Sequence, residues 1–195
     1  MELALARSPS PHSVRIIAGD WRGRKVPVLD KPGLRPTTDR VRETLFNWLA
    51  PHLSGARCLD LFAGTGALGL ECLSRGASFV QFVEKDTQVA KTLINNLNML
   101  GGEPRSAVYG GSAQSFIASF VKQCAPFDVV FVDPPFADIG ALNVLALMQD
   151  AQMLAGEGFV YVEQGRSQPQ PELPNDWRLH REKTAGQVRF QLFKS

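Results

Sequence analysis

The most specific chemical feature of the sequence is a four-residue turn, Asp133-Pro134-Pro135-Phe136, which follows a strongly apolar stretch. Two prolines fix the backbone and remove two amide donors, so the turn presents acceptors: the Asp133 carboxylate and the Pro134 carbonyl. Two such acceptors can hold the N–H bonds of a nucleobase amine, make its delocalised nitrogen more nucleophilic and stabilise the charge that forms on attack. Phe136 adds a flat ring on which a base can stack. An ordinary Pro-Pro turn is the simpler alternative.

A second motif is the glycine-rich segment 60–69, which contains GxGxxG at Gly64, Gly66 and Gly69. It comes directly after a predicted strand and opens a predicted helix, the context in which such glycines let a nucleotide-type cofactor approach the backbone. Asp60 places a carboxylate beside the turn, where it would repel a pyrophosphate but suit an ammonium group. The segment therefore favours S-adenosylmethionine, which carries an ammonium and a sulfonium, over a dinucleotide.

Two further segments follow predicted strands. Glu84 can accept hydrogen bonds from ribose hydroxyls, although both kinds of cofactor contain a ribose and Glu84 does not distinguish them. Residues 110–113 (GGSA) occupy the position that flanks an adenine in such folds. Ser112 could equally be a simple helix cap, and the sequence leaves both interpretations open.

The elements that position these motifs alternate between strands and helices. Strands are predicted at 57–62, 79–83, 107–109, 127–132 and 159–163, and helices at 67–74, 87–100, 113–123 and 139–154. The alternation predicts a parallel sheet with helices on both faces, and every motif falls at the carboxyl end of a strand, where such sheets bind ligands. A closing hairpin is predicted from 177–182 and 188–193. Before the sheet, 14–28 predicts a hairpin or loop pair, and a helix of about three turns begins at Thr38 or Asp39.

Charge is unevenly distributed along the 195 residues, whose net charge is +2. Residues 1–57 hold ten Lys or Arg and five Asp or Glu, whereas the rest of the chain is net acidic. This asymmetry suggests a polyanionic partner, with a solvated basic surface as the alternative. Three cysteines without a CxxC pair predict reduced thiols, a cytoplasmic protein and no metal cluster, and no stretch predicts a membrane span or a signal peptide.

With these motifs in place, the sequence closely resembles the RsmD family of bacterial 16S rRNA (guanine(966)-N(2))-methyltransferases. The resemblance is carried by residues 15–28 (RIIAGDWRGRKVPV), 35–49 (RPTTDRVRETLFNWL), 60–71, 83–86 and 133–136, in the family's order. The third and fourth segments are general to Rossmann-like methyltransferases, and the last is shared with enzymes that methylate amines of adenine or guanine. The first two are the family-specific part.

The resemblance implies an α/β protein with a Rossmann-like class I methyltransferase fold. Its mostly parallel seven-stranded sheet would have a C-terminal antiparallel hairpin and a small N-terminal β-hairpin. Residues 1–34 would be a basic hairpin extension and 35–195 the methyltransferase domain. The implied reaction transfers a methyl group from S-adenosylmethionine to the N2 amine of guanine 966 in 16S rRNA. The implied partner is an assembling or assembled small ribosomal subunit, with ribosomal proteins as a further part of the substrate. We expect a monomer that uses no metal.

The resemblance also assigns residue roles. The catalytic residues would be Asp133, Pro134 and Phe136. The cofactor-binding residues would be Asp60, Phe62, Gly64, Gly66, Glu84, Lys85, Ser112 and Ala113, with Arg35 and Thr37 closing over the cofactor or substrate. The basic hairpin would contact the RNA backbone through Arg15, Arg22, Arg24 and Lys25.

Three alternatives remain open on the residues alone. The closest is the same chemistry on the N6 amine of adenine in DNA or RNA, because both amines present two N–H bonds. An NAD(P)-dependent oxidoreductase would share the glycine turn and Glu84 but would leave Asp60 and residues 133–136 unexplained. A binding protein with an inactive site is disfavoured because every expected chemical position is filled.

Overall fold

A computed structural model describes residues 13–29, 38–120, 125–135 and 141–195 of the chain. The predicted site residues Arg35, Thr37 and Phe136 lie outside these ranges, as does Cys124. The strands are β1 Ser13–Arg15, β2 Lys25–Pro27, β3 Arg57–Asp60, β4 Phe79–Glu84, β5 Ser106–Gly110, β6 Phe127–Val132, β7 Leu154–Gly165, β8 Arg178–Ala185 and β9 Val188–Lys194. The α-helices are α1 Asp39–Leu49, α2 Ala67–Ser74, α3 Thr87–Leu100, α4 Ala113–Ser119 and α5 Val144–Asp150.

Seven strands form one sheet in the order β5-β4-β3-β6-β7-β9-β8, and β1 pairs with β2 in a separate antiparallel hairpin. Strands β3 to β7 are parallel, whereas β9 runs antiparallel between β7 and β8. The predicted fold is therefore confirmed. From β3 the chain builds outwards to β5 and then returns to β6 on the other side of β3. The point where strand order reverses lies between β3 and β6, where open sheets bind their ligands.

The sheet is covered on both faces by hydrophobic clusters. Helices α1, α2 and α3 pack on one face, for example through Leu45, Leu70 and Leu93. Helices α4 and α5 pack on the other face, with Phe116 and Leu145. Burial of both faces explains why β6 is almost entirely apolar, since a central parallel strand has no solvent-exposed side.

One predicted element differs clearly. The helix expected at 139–154 is much shorter as α5, and Leu154 already begins β7, where it pairs with Phe127. Gln152 has a φ of +53°, and the Met153 N–H returns to the Met148 carbonyl to end the helix. Because apolar residues recur on both sides of this point, Met148 before it and Met153 and Leu154 after it, periodicity could not separate the end of the helix from the start of the strand.

The N-terminal hairpin is fixed to α2 by buried polar groups. Glu71, which is fully buried, accepts hydrogen bonds from the backbone N–H groups of Ile17 (2.8 Å) and Ala18 (3.0 Å). Ser74 accepts from the N–H of Trp21 at 2.9 Å and donates to the Ala18 carbonyl at 2.6 Å. The hairpin's apolar residues, including Trp21, join the same core cluster as α1 to α3. Its orientation relative to the sheet is thus set by α2, the helix that follows the glycine-rich turn.

Candidate active site

Four acidic residues lie at the carboxyl ends of four neighbouring strands. Glu84 ends β4, Asp60 ends β3, Asp133 follows β6 by one residue, and Glu163 lies near the end of β7. The strand registers and the two-residue alternation of side chains place all four on the face covered by α1 to α3. We call these four residues the acidic row. Its order across the sheet is that of the strands, so Asp60 and Asp133 are neighbours at the point where strand order reverses.

The glycine-rich turn between β3 and α2 has the geometry that its sequence predicts. Gly66 adopts a φ of +79°, the left-handed region that favours glycine. A Cβ at Gly69 would lie 2.2 Å from the Phe82 ring, so this glycine lets α2 pack closely on β4. The Gly64 N–H donates to Glu84 Oε2 at 2.8 Å and anchors the turn to the neighbouring strand.

Asp60 is buried, and its Oδ2 accepts a hydrogen bond from the Gly69 N–H at 3.1 Å. Burial is the main cause that raises the pKa of Asp60 to about 7, and the charge of Glu84 adds to it. The backbone N–H groups of Gly69 and Phe62 act in the opposite direction. A cation placed beside this carboxyl group would favour its ionised form. The ammonium of a bound ligand therefore suits the position.

Glu84 also joins two segments through its other oxygen, since Oε1 accepts from the Asp86 N–H at 2.7 Å. An ionised carboxylate has about four acceptor positions, so Glu84 can still accept donors from a ligand. Of the other residues predicted for the cofactor, Lys85 is exposed, Phe62 is half-buried and Ala113 is buried. Ser112 caps α4 by accepting from the Ser115 N–H at 3.1 Å, which is the simpler of its two predicted roles.

The turn after β6, which contains the two predicted acceptors, lies at the same edge of the sheet. Asp133 is half-buried, Pro134 is buried and Pro135 is exposed. The Leu61 N–H donates a 3.1 Å hydrogen bond to the Phe131 carbonyl. The segment that leads into this turn is therefore hydrogen-bonded to the segment that leads into the glycine-rich turn. The structure therefore brings the proposed amine acceptors beside the proposed cofactor turn.

Two further residues at this edge were not identified from the sequence. The hydroxyl of Tyr161, which is fully buried, donates a 2.7 Å hydrogen bond to Glu163 Oε2. Burial and the negative charges of Glu163 and Asp133 raise the pKa of Tyr161 well above its usual value, so the phenol stays protonated. The signal that could have found Glu163 is the one that found Glu84: an acidic residue at the carboxyl end of a predicted strand.

The basic residues of the hairpin are distributed between two edges of the sheet. Arg15 forms an ion pair with Asp39 at 3.6 Å, near the start of α1. Lys25 lies opposite Arg15 in the register of β1 and β2. Arg24 lies at the hairpin turn and donates to the Met99 carbonyl at 2.9 Å, near the end of α3. Because α3 runs antiparallel to the strands, this turn lies at the amino-end edge, opposite Asp133. Arg22 lies in the same turn and is exposed.

A groove with a volume of about 290 Å³ opens between α1 and the β8–β9 turn at the carboxyl-end edge. Arg40 and Lys183 line it, together with Phe190 and residues of the turn. Lys183 pairs with Phe190, and Phe190 pairs with Glu163 on β7, so the groove continues the line of the acidic row. A second cavity of the same volume, lined by Arg178 and other residues, lies at the opposite edge.

The part of the chain that the structure describes contains neither a metal-binding cluster nor a helix suited to span a membrane. No group of three or more His, Cys, Asp or Glu residues there is arranged to hold a metal ion. None of the described helices combines the length and the apolar composition needed to span a membrane.

The fold and the acidic row define a Rossmann-like α/β protein of the methyltransferase class. Residues 14–194 match the profile of the family described as Conserved hypothetical protein 95. Ribosomal RNA small subunit methyltransferase D of Escherichia coli (strain K12) is 51% identical over 182 residues, 93% of this chain and 89% of that protein. The chain belongs to this family, the RsmD family of methyltransferases.

Solved structures agree with this assignment. The structure of yhhF from Escherichia coli has a TM-score of 0.85 at 46% identity and covers 94% of this chain and 98% of that one. The structure of SMU.776, complexed with SAH, has a TM-score of 0.74 at 11% identity and covers 97% of this chain and 57% of that one. The second likeness shows that the fold is shared.

Proposed function

We propose that this protein transfers a methyl group from S-adenosylmethionine to the exocyclic N2 amine of guanine 966 in 16S rRNA. The observation that carries the proposal is that Asp133 and Pro134 directly follow β6, which pairs with β3, the strand that ends at Asp60 and leads into the glycine-rich turn. An amine held by Asp133 and Pro134 would face a methyl donor held at the glycine-rich turn. The rRNA substrate is further supported by the name of the relative that is 51% identical.

The residues present fit this cofactor. Asp60 would face its ammonium, Glu84 has acceptor capacity for ribose hydroxyls, and Gly64 and Gly66 leave the backbone open to close approach. S-adenosylmethionine, when bound, supplies an electrophilic methyl group on a sulfonium. We propose that Phe62, Lys85, Ser112 and Ala113 complete the cofactor site. Arg35 and Thr37 are proposed to close over it.

The chain's own contribution to the reaction is binding and charge stabilisation. The Asp133 carboxylate and the Pro134 carbonyl accept the two N–H bonds of the amine and orient its lone pair. These contacts strengthen as positive charge develops on the nitrogen, so they stabilise the transition state more than the bound substrate. The proton that the nitrogen must then lose is already hydrogen-bonded to Asp133. Phe136 is proposed to stack on the base and fix its plane.

The RNA backbone is proposed to contact two basic surfaces. One is the hairpin with Arg15, Arg22, Arg24 and Lys25. The other is the groove lined by Arg40 and Lys183, which lies closer to Asp133. The substrate is proposed to be the assembling or assembled small subunit, encountered in the cytoplasm by a monomer of this chain.

The test is to incubate the protein with methyl-labelled cofactor and small subunits from cells that lack the activity, and then to digest the rRNA to nucleosides. We expect label in N2-methylguanosine at position 966. Label in N6-methyladenosine would favour the adenine alternative, and rRNA without label would contradict the proposal.

A further inference from the structure

The edge strand β8 lies beyond the layer of helices that covers its neighbour β9. Every residue from Arg178 to Thr184 is exposed, although β9 is buried from Phe190 to Phe193. Helix α1 covers β9, where the Trp48 ring stacks on the Phe190 ring with centroids 5.4 Å apart. Strand β8 therefore leaves both of its faces open to a partner.

A β-bulge determines which side chains of β8 point to each face. Leu179 lies opposite Phe193, and Arg181 lies opposite Leu192. His180 and Arg181 therefore share one partner residue on β9. Such a bulge adds one residue to the strand and shifts the two-residue alternation of its side chains by one position.

The shift separates the charges of β8. Arg178, Arg181 and Lys183 all fall on the face of the sheet that α1 covers farther in. The one acid of the strand, Glu182, falls on the opposite face, where its Oε2 accepts a 2.6 Å hydrogen bond from Gln191. Strict alternation would instead have put Arg178 on the same face as Glu182. We call the three cations the basic face of β8.

The basic face connects the two cavities on this side of the molecule. Lys183 lines the groove at the carboxyl-end edge together with Arg40, and Arg178 lines the cavity at the amino-end edge. Their partners on β9 are four residues apart, a distance of roughly 13 Å. Within the described residues, none of Arg178, Arg181 and Lys183 takes part in an ion pair. The face is therefore a line of uncompensated positive charge that begins at the edge where Asp133 lies.

Protection of the sheet edge is the simpler explanation for charges on β8. Charged side chains on an edge strand prevent it from pairing with a strand of another molecule. That protection works with charge of either sign, so it does not require the cations on one face and the acid on the other. A line of cations alone matches a phosphate backbone, which offers anions at regular intervals.

We propose that the basic face of β8 binds the phosphates of the RNA strand that flanks the target base. The strand would run from the groove at Lys183 across Arg181 to Arg178. This inference rests on the proposed function, because it supplies a path for the same RNA substrate. It extends the RNA contact from the groove to the opposite edge of the sheet. Because the contacts are to phosphates, they position the RNA without reading its sequence.

Arg181→Gln tests the inference because it removes one charge from an exposed position in the middle of the basic face. Binding to protein-free 16S rRNA is measured by filter binding over a range of salt concentrations. We expect roughly fivefold weaker binding at about 0.15 M salt, and a slope of log affinity against log salt concentration reduced in magnitude by about one. Arg181→Glu should weaken binding further, whereas Arg181→Lys should keep the wild-type slope. Arg178→Gln carries the same expectation independently, so a folding defect at one position leaves the test intact.

The matched control is Lys91→Gln, which removes the same charge from an exposed position on α3 and should bind as the wild type does. A wild-type slope in Arg181→Glu would overturn the inference and leave the charges of β8 to edge protection. Equal weakening in Lys91→Gln and Arg181→Gln would also overturn it, because net charge would then be responsible. Weaker binding to small subunits but not to protein-free rRNA would overturn it in favour of a ribosomal protein as the partner.

Steady-state methylation of small subunits separates this inference from the proposed function. Variants of the basic face should raise KM for the subunit and leave kcat near the wild-type value, because these side chains do not touch the reacting amine. Failure of the wild type to methylate guanine would contradict the proposed function. The dependence of rRNA binding on Arg181 is measured without turnover, so its failure would contradict the role of the basic face alone.

Discussion

The Gly64 N–H donates a 2.8 Å hydrogen bond to Oε2 of Glu84, which joins the glycine-rich turn to the end of the neighbouring strand. The same carboxylate accepts from the Asp86 N–H through its other oxygen. Glu84 therefore shapes two segments of the proposed cofactor site, in addition to its proposed contact with ribose. The sequence suggests only a ligand-binding role for Glu84, but this residue also holds the backbone of the site in place.

Glu84→Gln should weaken cofactor binding by about tenfold or more. The amide can accept only through its oxygen, and its NH2 group would face a backbone N–H, which leaves one buried donor unsatisfied at a cost of about 1–3 kcal/mol. Isothermal titration calorimetry with S-adenosylhomocysteine measures the effect. Lys91→Ala, an exposed position on α3, is the matched control and should bind normally. Normal affinity in Glu84→Gln would argue against both roles of this carboxylate.

Asp133→Ala should remove most turnover while the affinity for S-adenosylhomocysteine changes little. The carboxylate is proposed to stabilise charge that exists only during transfer, and removal of one such group in other enzymes costs about 100- to 1000-fold in kcat. Single-turnover methylation of small subunits, together with calorimetry, separates the two effects. If the variant turned over at near the wild-type rate, the acceptor role of Asp133 would be wrong. A parallel loss of cofactor affinity would place this residue in the cofactor site.

The pKa of Asp60, raised to about 7, predicts a pH-dependent stability. In the unfolded chain the group titrates near its ordinary value, so the folded state favours the protonated form. Relative to Asp60→Asn, which cannot ionise, wild-type stability should be highest below about pH 4 and should decrease as pH rises to about 7. Above pH 7 the difference should be constant. Three pKa units correspond to on the order of 4 kcal/mol.

Urea denaturation of both proteins without cofactor, at pH values from 5 to 8, measures this dependence. The difference in unfolding free energy should move steadily in favour of Asp60→Asn as pH rises, and then level off. A difference that does not vary with pH would mean that Asp60 is ionised throughout this range.

The sequence predicted the fold, and it predicted that the described motif residues lie at strand ends, because the necessary signals are local. Alternating strands and helices fixed the sheet, and each motif sits at the end of the strand that positions it. The helix predicted at 139–154 was too long: α5 ends at Asp150, and Leu154 already belongs to β7. No local pattern marks that boundary, which depends on the pairing of Leu154 with Phe127.

Other features depend on contacts between distant parts of the chain. Glu71 gave no sequence signal, because its partners Ile17 and Ala18 are more than fifty residues away. The partnership of Glu163 with Asp133 arises only when β6 and β7 pair. The separation of Arg22 and Arg24 from Asp133 likewise follows from where the hairpin docks. Net charge along the sequence indicates a basic segment without saying which edge of the sheet it reaches.

Glu71→Gln should loosen the N-terminal hairpin and destabilise the protein by about 1–3 kcal/mol, the cost of a buried donor left without its acceptor. The carboxylate accepts two backbone N–H groups and the Arg75 Nε at 2.8 Å, and it lies 3.9 Å from the buried Arg42 guanidinium. Arg42 keeps its 2.6 Å ion pair with Asp39, so the main loss is one buried acceptor among the three donors that Glu71 holds. Urea denaturation and proteolysis of the hairpin report the two effects. Wild-type stability would show that the backbone hydrogen bonds suffice without the charge.

The two basic surfaces should differ in the length of RNA they need. Lys183 lines the groove on the Asp133 side, whereas Arg22 lies at the opposite edge, roughly 20 Å away along a six-residue strand. Each phosphate contact that a substitution removes should reduce the magnitude of the slope of log affinity against log salt concentration by about one. Lys183→Ala should therefore weaken binding both to small subunits and to a short RNA around the target base. Arg22→Ala should weaken binding to small subunits only. If Arg22→Ala alone weakened binding to the short RNA, the RNA would approach from the hairpin turn, and the groove beside Glu163 would not be its path to Asp133.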